Sequence, residues 1–168
     1  MKFIVDHNAG KLVKRLRMMG YDTVFFTGED DWAMVITALH EDRIVLTKDT
    51  AIMKMGVAIS GKLKTMLIRS DKPEEQIKQV IRAYGLNNES GFFTICMECN
   101  RLLEKKTREQ VKDKVPPYVL QTQSDFMECP SCNRIFWKGT HWQAMAEEIK
   151  KMMRDSENVD IKKNPVNP

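Results

Sequence analysis

The chain has 168 residues, 42% apolar and 30% charged, which is the balance of an ordinary globular domain and excludes fibrous, collagenous or intrinsically disordered classes. No apolar run approaches membrane-spanning length, and the short apolar start runs straight into polar sequence. Neither a membrane span nor a signal peptide is expected, and the default compartment is cytoplasmic. The 27 Lys and Arg against 23 Asp and Glu leave a net charge of +4, which permits a polyanionic partner without demanding one. Divided after Asn88, neither part is a basic tail, so any nucleic-acid surface must be local.

Phe3, Ile4 and Val5 form the kind of short apolar run that fills a strand buried on both faces, and Asp6 places a negative charge at its tip. An unpaired buried charge is costly, so Asp6 needs a backbone N–H at a helix start, a basic side chain or a metal ion. Lys11 to Met19 carries Leu12, Val13, Leu16 and Met19 at helical spacing, with Gly20 as a fitting stop. Thr23 to Phe26 reads as a second strand. After the acidic cluster Glu29, Asp30, Asp31, the residues Trp32, Ala33, Val35, Ile36 and Leu39 read as a helix. Arg43 to Thr47 is a third strand, followed by Lys48, Asp49 and a short helix toward Met55. Thr65 to Ile68 is a fourth strand, and Pro73 opens a helix bearing Ile77, Val80, Ile81 and Tyr84 that Gly85 closes.

Strands alternating with helices predict an α/β fold with a parallel sheet flanked by helices on both faces. In such sheets the ligand crevice lies beyond the carboxyl ends of the strands. Asp6, the pair Asp30 and Asp31, and Asp49 all fall on that edge. Crowded together they would repel unless a cation sat between them, and an all-oxygen set suits Mg²⁺ or Mn²⁺. Each acid also has a local explanation: Asp30 or Asp31 is placed to cap the second helix, Asp49 the short helix after it, and Asp71 the helix that Pro73 opens.

All four cysteines lie further on, as Cys96-Met-Glu-Cys99, 29 intervening residues, and Cys129-Pro-Ser-Cys132. Two such pairs match a tetrahedral thiolate zinc site. Four thiolates fill the zinc shell, so this metal is expected to hold structure, and any catalysis belongs to the acidic edge. The double proline in Lys112 to Val119 (KDKVPPYV) argues for an extended connection. In RIFWKGTHW from Arg134, the residues Phe136, Trp137, Lys138, His141 and Trp142 are of types that stack on bases and contact phosphates. Phe136 and Trp142 also suit the miniature core of a ribbon, while Lys138 and His141 are expected to face a ligand. A closing helix is expected over Trp142 to Met153, and a flexible tail from Asp155.

In order and spacing, FIVD at Asp6, KLVKRLRMMGYDT from Lys11, RIVLTKD ending at Asp49, CMECN, VPPYV and CPSCNRIFWKGTH resemble the RNase domain of the Mut-seven C-terminal type. The resemblance spans about residues 2 to 146 and implies a PIN-like nuclease fold over residues 1–88, a zinc ribbon over 89–146, and the end of a helix with a tail over 147–168. It implies that Asp6, an acid of the Asp30/Asp31 pair and Asp49 bind a catalytic divalent metal, with Asp71 the candidate for a fourth acid. It places Arg15 and Arg17, in the segment that Lys11 opens, near the substrate backbone, and zinc on the four cysteines.

The expected function is metal-dependent hydrolysis of RNA phosphodiesters, with Mg²⁺ or Mn²⁺ on Asp6, Asp31 and Asp49. Lys11, Arg15, Arg17, Lys48, Arg69, Trp137, Lys138 and His141 are the expected RNA contacts. The alternative is a non-catalytic RNA-binding module associated with the ribosome or transfer RNA, with the ribbon as its main contact. A phosphotransfer protein fits less well, because a phosphatase of the aspartyl type would want a second Asp where Asn8 stands. A homodimer is compatible with such folds.

Overall fold

Phe3, Ile4 and Val5 are completely buried, as a strand between two helical layers requires. The computed structural model describes residues 1–160. Its first part contains, in chain order, β1 (Lys2–Val5), α1 (Lys11–Met18), β2 (Asp22–Phe25), α2 (Asp31–Glu41), β3 (Ile44–Thr47), α3 (Thr50–Met53), α4 (Gly56–Ile59), β4 (Thr65–Leu67) and α5 (Pro73–Tyr84). The four strands are parallel in the order β2-β1-β3-β4. Phe3, Val5, Ile44 and Leu46 face one apolar cluster, shared with α1 and α5, while Ile4 and Val45 face a second, shared with α2 and α3. The period-two alternation of β1 and β3 therefore fills both layers.

Pro73 is the first residue of α5, and Gly85 ends it in the left-handed conformation at φ 58°, both as the sequence indicates. In α2 the buried face is Met34, Val35 and Ala38, whereas Trp32, Ile36 and Leu39 point to solvent. The chain passes from β1 outward to β2 and then returns to place β3 on the other side of β1. A topological switch point thus lies between the carboxyl ends of β1 and β3, where open α/β sheets form their crevice.

The second part contains β5 (Glu104–Lys106), α6 (Arg108–Val111), α7 (Pro117–Thr122), β6 (Phe126–Glu128), β7 (Ile135–Trp137) and α8 (Thr140–Asp160). Its strands form an antiparallel sheet in the order β5-β6-β7. The long interval between the cysteine pairs holds α6 and α7, which close over Val111, Val115 and Phe126. The extended connection expected at the double proline is only half right. Pro116 is extended (φ −59°, ψ 144°), but Pro117 starts α7, where a missing N–H costs no helical bond.

Ala146, Ile149, Met152 and Met153 of α8 pack into the cluster of β1 and α5, so the closing helix covers the first part of the chain. The division expected after residue 146 falls inside α8, and the helix continues where a tail from Asp155 was expected. There Ser156 is buried and donates to the Met152 carbonyl at 2.7 Å, and Asp155 lies 3.7 Å from the Lys78 ammonium. The rest of the expected tail, residues 161–168, lies outside the described residues.

The two parts meet along the free edge of β2. Arg17 of α1, buried, donates through Nε to the Thr23 carbonyl (2.9 Å) and through one terminal nitrogen to the carbonyls of Met97 (2.9 Å) and Glu98 (2.7 Å). Asn100 accepts from the Thr23 N–H (2.8 Å) and donates to Asp22 (2.6 Å). An edge strand that would otherwise expose its polar groups is thereby covered. Burial pushes the Asp22 carboxyl up, but hydrogen bonds from Arg43 and Asn100 outweigh it and hold the group below its ordinary value. Gly20 is required at the same seam: it has φ 81°, and a Cβ there would stand 2.1 Å from the Gly91 carbonyl oxygen.

Arg17→Met keeps most of the packing stem but orphans three carbonyls. It is expected to lower unfolding free energy by roughly 3 kcal/mol in urea titrations and to speed zinc loss to a chelator. Unchanged values for both would show that the seam does not depend on this guanidinium.

Candidate active site and metal centre

Asp6 follows β1 and is only 4% exposed. Its burial is met by hydrogen bonds. Oδ1 accepts from the Asn8 N–H at 2.8 Å, and Oδ2 accepts from the Thr47 hydroxyl and from the Lys48 N–H at 3.1 Å. Thr47, the last residue of β3 and fully buried, also accepts from the Asp49 N–H at 2.8 Å. One hydroxyl therefore ties Asp6 to the segment that carries Asp49, across the switch point. The sequence reading missed Thr47, whose only signal is a hydroxyl between an apolar strand and an acid at a strand end.

Capping and edge placement coincide. Asp6 caps the short 3₁₀ turn His7–Ala9, Asp30 accepts from the Trp32 N–H at 2.9 Å, and Asp49 accepts from the Ala51 N–H at 2.7 Å. Each bond uses one oxygen, which orients the carboxylate. Among the described residues the second oxygens of Asp30 and Asp49 have no hydrogen-bond donor. The acids do not gather as tightly as the sequence suggests. Among the described residues, the only three or more His, Cys, Asp or Glu groups whose ligand atoms all lie within 4.8 Å of one another are the four cysteines. Asp31 lies in the first turn of α2, and Asp71, expected as a cap, instead pairs with the Lys48 ammonium, which holds its carboxyl below the usual range.

Beside Asp6 a cavity of about 460 Å³ is lined by His7, Asn8, Gly10, Lys11, Lys48, Asp71 and Gln76. Of the expected RNA contacts, Lys11 and Lys48 border it. Arg15 pairs with Glu74 at 2.9 Å, and Arg69 borders a different depression with Lys78 and Arg82. Arg17 corrects the expectation outright: its guanidinium is committed to the seam with the first cysteine turn, contacts about 80 residues away that helical spacing does not reveal. In the ribbon, Lys138 lies 5.5 Å from the centre of the Trp142 ring, and Trp142 packs on Phe93 with centroids 4.7 Å apart. Phe136, Trp137 and His141 line an apolar cavity of about 190 Å³ against α8.

The cysteine turns repeat one geometry. In each Cys-x-x-Cys-Asn-Arg unit the first cysteine N–H donates to the arginine carbonyl (2.8 Å at Arg101, 3.0 Å at Arg134), and Asn100 or Asn133 takes φ 57°. Asn tolerates that left-handed conformation, which explains its recurrence after each pair. A tetrahedral site with Zn–S near 2.3 Å requires sulfurs about 3.8 Å apart, and Cys96 and Cys132 are 3.8 Å apart. Cys96 and Cys129 are buried and the other two half-buried. Burial pushes Cys96 up to about 12. Burial also raises Cys129, but hydrogen bonds from the Cys132 and Ser131 N–H groups prevail and lower it to about 7. The donor set therefore fits Zn²⁺, as the sequence indicates. For Mg²⁺ or Mn²⁺, Asp6 keeps about one lone-pair site of roughly four and Asp49 a whole oxygen, a sparse set that suits an ion retaining several waters.

The fold and these sites define a class: a parallel α/β domain with acids at its switch point, joined to a four-cysteine ribbon. The family described as the Mut7-C RNAse domain matches residues 1–149, and the chain belongs to it. No curated protein and no solved structure matches the chain significantly. Among the described residues no helix is long and apolar enough to cross a membrane.

Thr47→Val keeps the shape and removes the bridging hydroxyl. It is expected to cost about 1–3 kcal/mol in thermal or urea unfolding, with Thr47→Ser restoring most of the loss. Equal behaviour of the two variants would mean that the bridge contributes nothing.

Proposed function

We propose that the protein is a metal-dependent ribonuclease that hydrolyses phosphodiester bonds of RNA at the switch point between β1 and β3. The observation that supports this best is the buried, hydrogen-bonded Asp6 joined through Thr47 to Asp49 beside an open cavity bordered by two lysines. Membership in a family of RNase domains supports the substrate class. Asp6 and Asp49 would hold Mg²⁺ or Mn²⁺, and Asp31, in the first turn of α2, is the next expected acid. Such an ion, when bound, supplies positive charge to the phosphate and lowers the pKa of water.

The chain's own groups do the rest. The Asn8 and Lys48 N–H groups and the Thr47 hydroxyl hold the Asp6 carboxylate in one orientation, so no reorganisation is needed during reaction. Lys11 and Lys48 neutralise the phosphate, and Lys48 exchanges Asp71 for it. Hydrolysis joins a water oxygen to phosphorus and breaks the bond to the leaving ribose oxygen, which takes up a proton. The four cysteines hold zinc as structure, and Arg17 carries that order to α1. A second reading, RNA binding without cleavage, is favoured by one observation: Phe136, Trp137, Lys138 and Lys105 line a cavity of about 290 Å³ at the ribbon.

End-labelled single-stranded and structured RNAs, incubated with Mn²⁺, Mg²⁺ or a chelator that spares zinc, test the proposal. Wild type is expected to cleave only with the added ion, and Asp49→Asn to cut about 100-fold more slowly or worse at an unchanged melting temperature. RNA that is bound but never cut would favour the second reading. Equal cutting by wild type and variant would contradict the assignment of Asp49.

A further inference from the structure

The two faces of the ribbon sheet are used differently. On one, Phe126, Ile135 and Trp137 close with Val111 and Val115 beneath α6 and α7. On the other, the register sets Lys105, Met127 and Phe136 side by side, one from each strand. Met127 and Phe136 are half-buried, yet among the described residues neither belongs to a core cluster. All three line the cavity of about 290 Å³ at the ribbon. Phe92, Phe93 and Trp142 line it as well, and these are anchored in the cluster of β1 and α5. The cavity is therefore an aromatic cleft between the ribbon sheet and the first part of the chain, and it shares no lining residue with the cavity beside Asp6.

Its rim is cationic. Lys105 is exposed and forms no ion pair among the described residues, because the neighbouring acids Glu104 and Glu128 are taken by Lys106 on the opposite face. The Lys138 ammonium stands 5.5 Å from the centre of the Trp142 ring. Asp125 is the one acid of the lining. An apolar segment of another protein would cover both ammonium groups without pairing them, which is costly. An unpaired nucleotide meets both halves of the cleft at once, with a flat base to stack on aromatic rings and a phosphate to pair with lysine.

We propose that this cleft holds one unpaired RNA base against Phe136, with the flanking phosphates on Lys105 and Lys138. The ribbon is thus a second contact for the RNA, apart from the acidic edge, and it favours single strands because a base within a duplex has both faces stacked. The inference rests on the reading of RNA as the substrate and names the ligand of the ribbon cleft.

Fluorescence anisotropy of a labelled single-stranded RNA and of its fully paired duplex, with Ca²⁺ replacing Mg²⁺, tests it on zinc-loaded wild type, Phe136→Leu, Phe136→Tyr and Lys105→Gln. Phe136→Leu, which keeps bulk but no ring, is expected to bind the single strand about tenfold more weakly, with duplex affinity unchanged and Phe136→Tyr like wild type. Lys105→Gln is expected to lower the slope of log affinity against log salt by about one. Equal affinities of Phe136→Leu and wild type, or equal losses in the Leu and Tyr variants, would overturn the proposal. An unchanged salt slope would overturn the assignment of Lys105. Should the Phe136 variants fail to fold, single abasic sites along the RNA replace them with wild type: one sensitive position supports the cleft, and uniform tolerance overturns it. RNA cleavage by wild type with no effect of Phe136→Leu sinks this inference alone. Wild type that neither binds nor cleaves RNA sinks the ribonuclease reading with it.

Discussion

A carboxylate buried at the end of an inner strand constrains everything around it. At 4% exposure the polar oxygens of Asp6 need donors, because a buried polar group left without hydrogen bonds is costly. Its donors come from two places, the turn after β1 and the end of β3. The pairing of Val5 with Leu46 sets Thr47 and Lys48 level with Asp6. A slip of one residue would turn Thr47 to the other face and leave Asp6 unpaired. Burial of the two apolar faces and satisfaction of one charge thus select the same register, and that register also fixes where Asp49 stands.

The ribbon answers a second constraint. β2 is an edge strand, and Thr23 presents both backbone groups outward. Asn100 and Arg17 occupy them, one from the cysteine turn and the other from α1. Asn100 reaches Thr23 from a left-handed turn at φ 57°, directly after Cys99. Edge protection and the placement of α1 are therefore both tied to the first cysteine turn. α1 begins a few residues after Asp6, so the seam also links the cysteine turn to the strand end that carries this acid.

Much of this was legible from the residues. The apolar runs at Phe3 to Val5 and Ile44 to Leu46, the Pro73 and Gly85 boundaries of α5, and the two Cys-x-x-Cys pairs all carry local signals that the tertiary structure respects. What failed to show depends on distant partners. Arg17 looks like a substrate-facing base because the carbonyls it serves lie about 80 residues on. Trp32, Ile36 and Leu39 fit a helix period but lie on its solvent face. Pro117 reads as a helix breaker, although a first helical position accepts it. Capping and metal binding are not exclusive for Asp30 and Asp49, because each cap occupies one oxygen and leaves the other.

Asp6 and Asp49 are proposed to share one divalent cation. The most direct test is Mn²⁺ uptake by the zinc-loaded protein, read from loss of the free-ion electron paramagnetic resonance signal in wild type, Asp6→Asn and Asp49→Asn. Uptake by wild type is expected, with affinities weakened by about tenfold or more in both variants, each still folded by its melting curve. Uptake that is the same in all three, or absent from wild type, would contradict it.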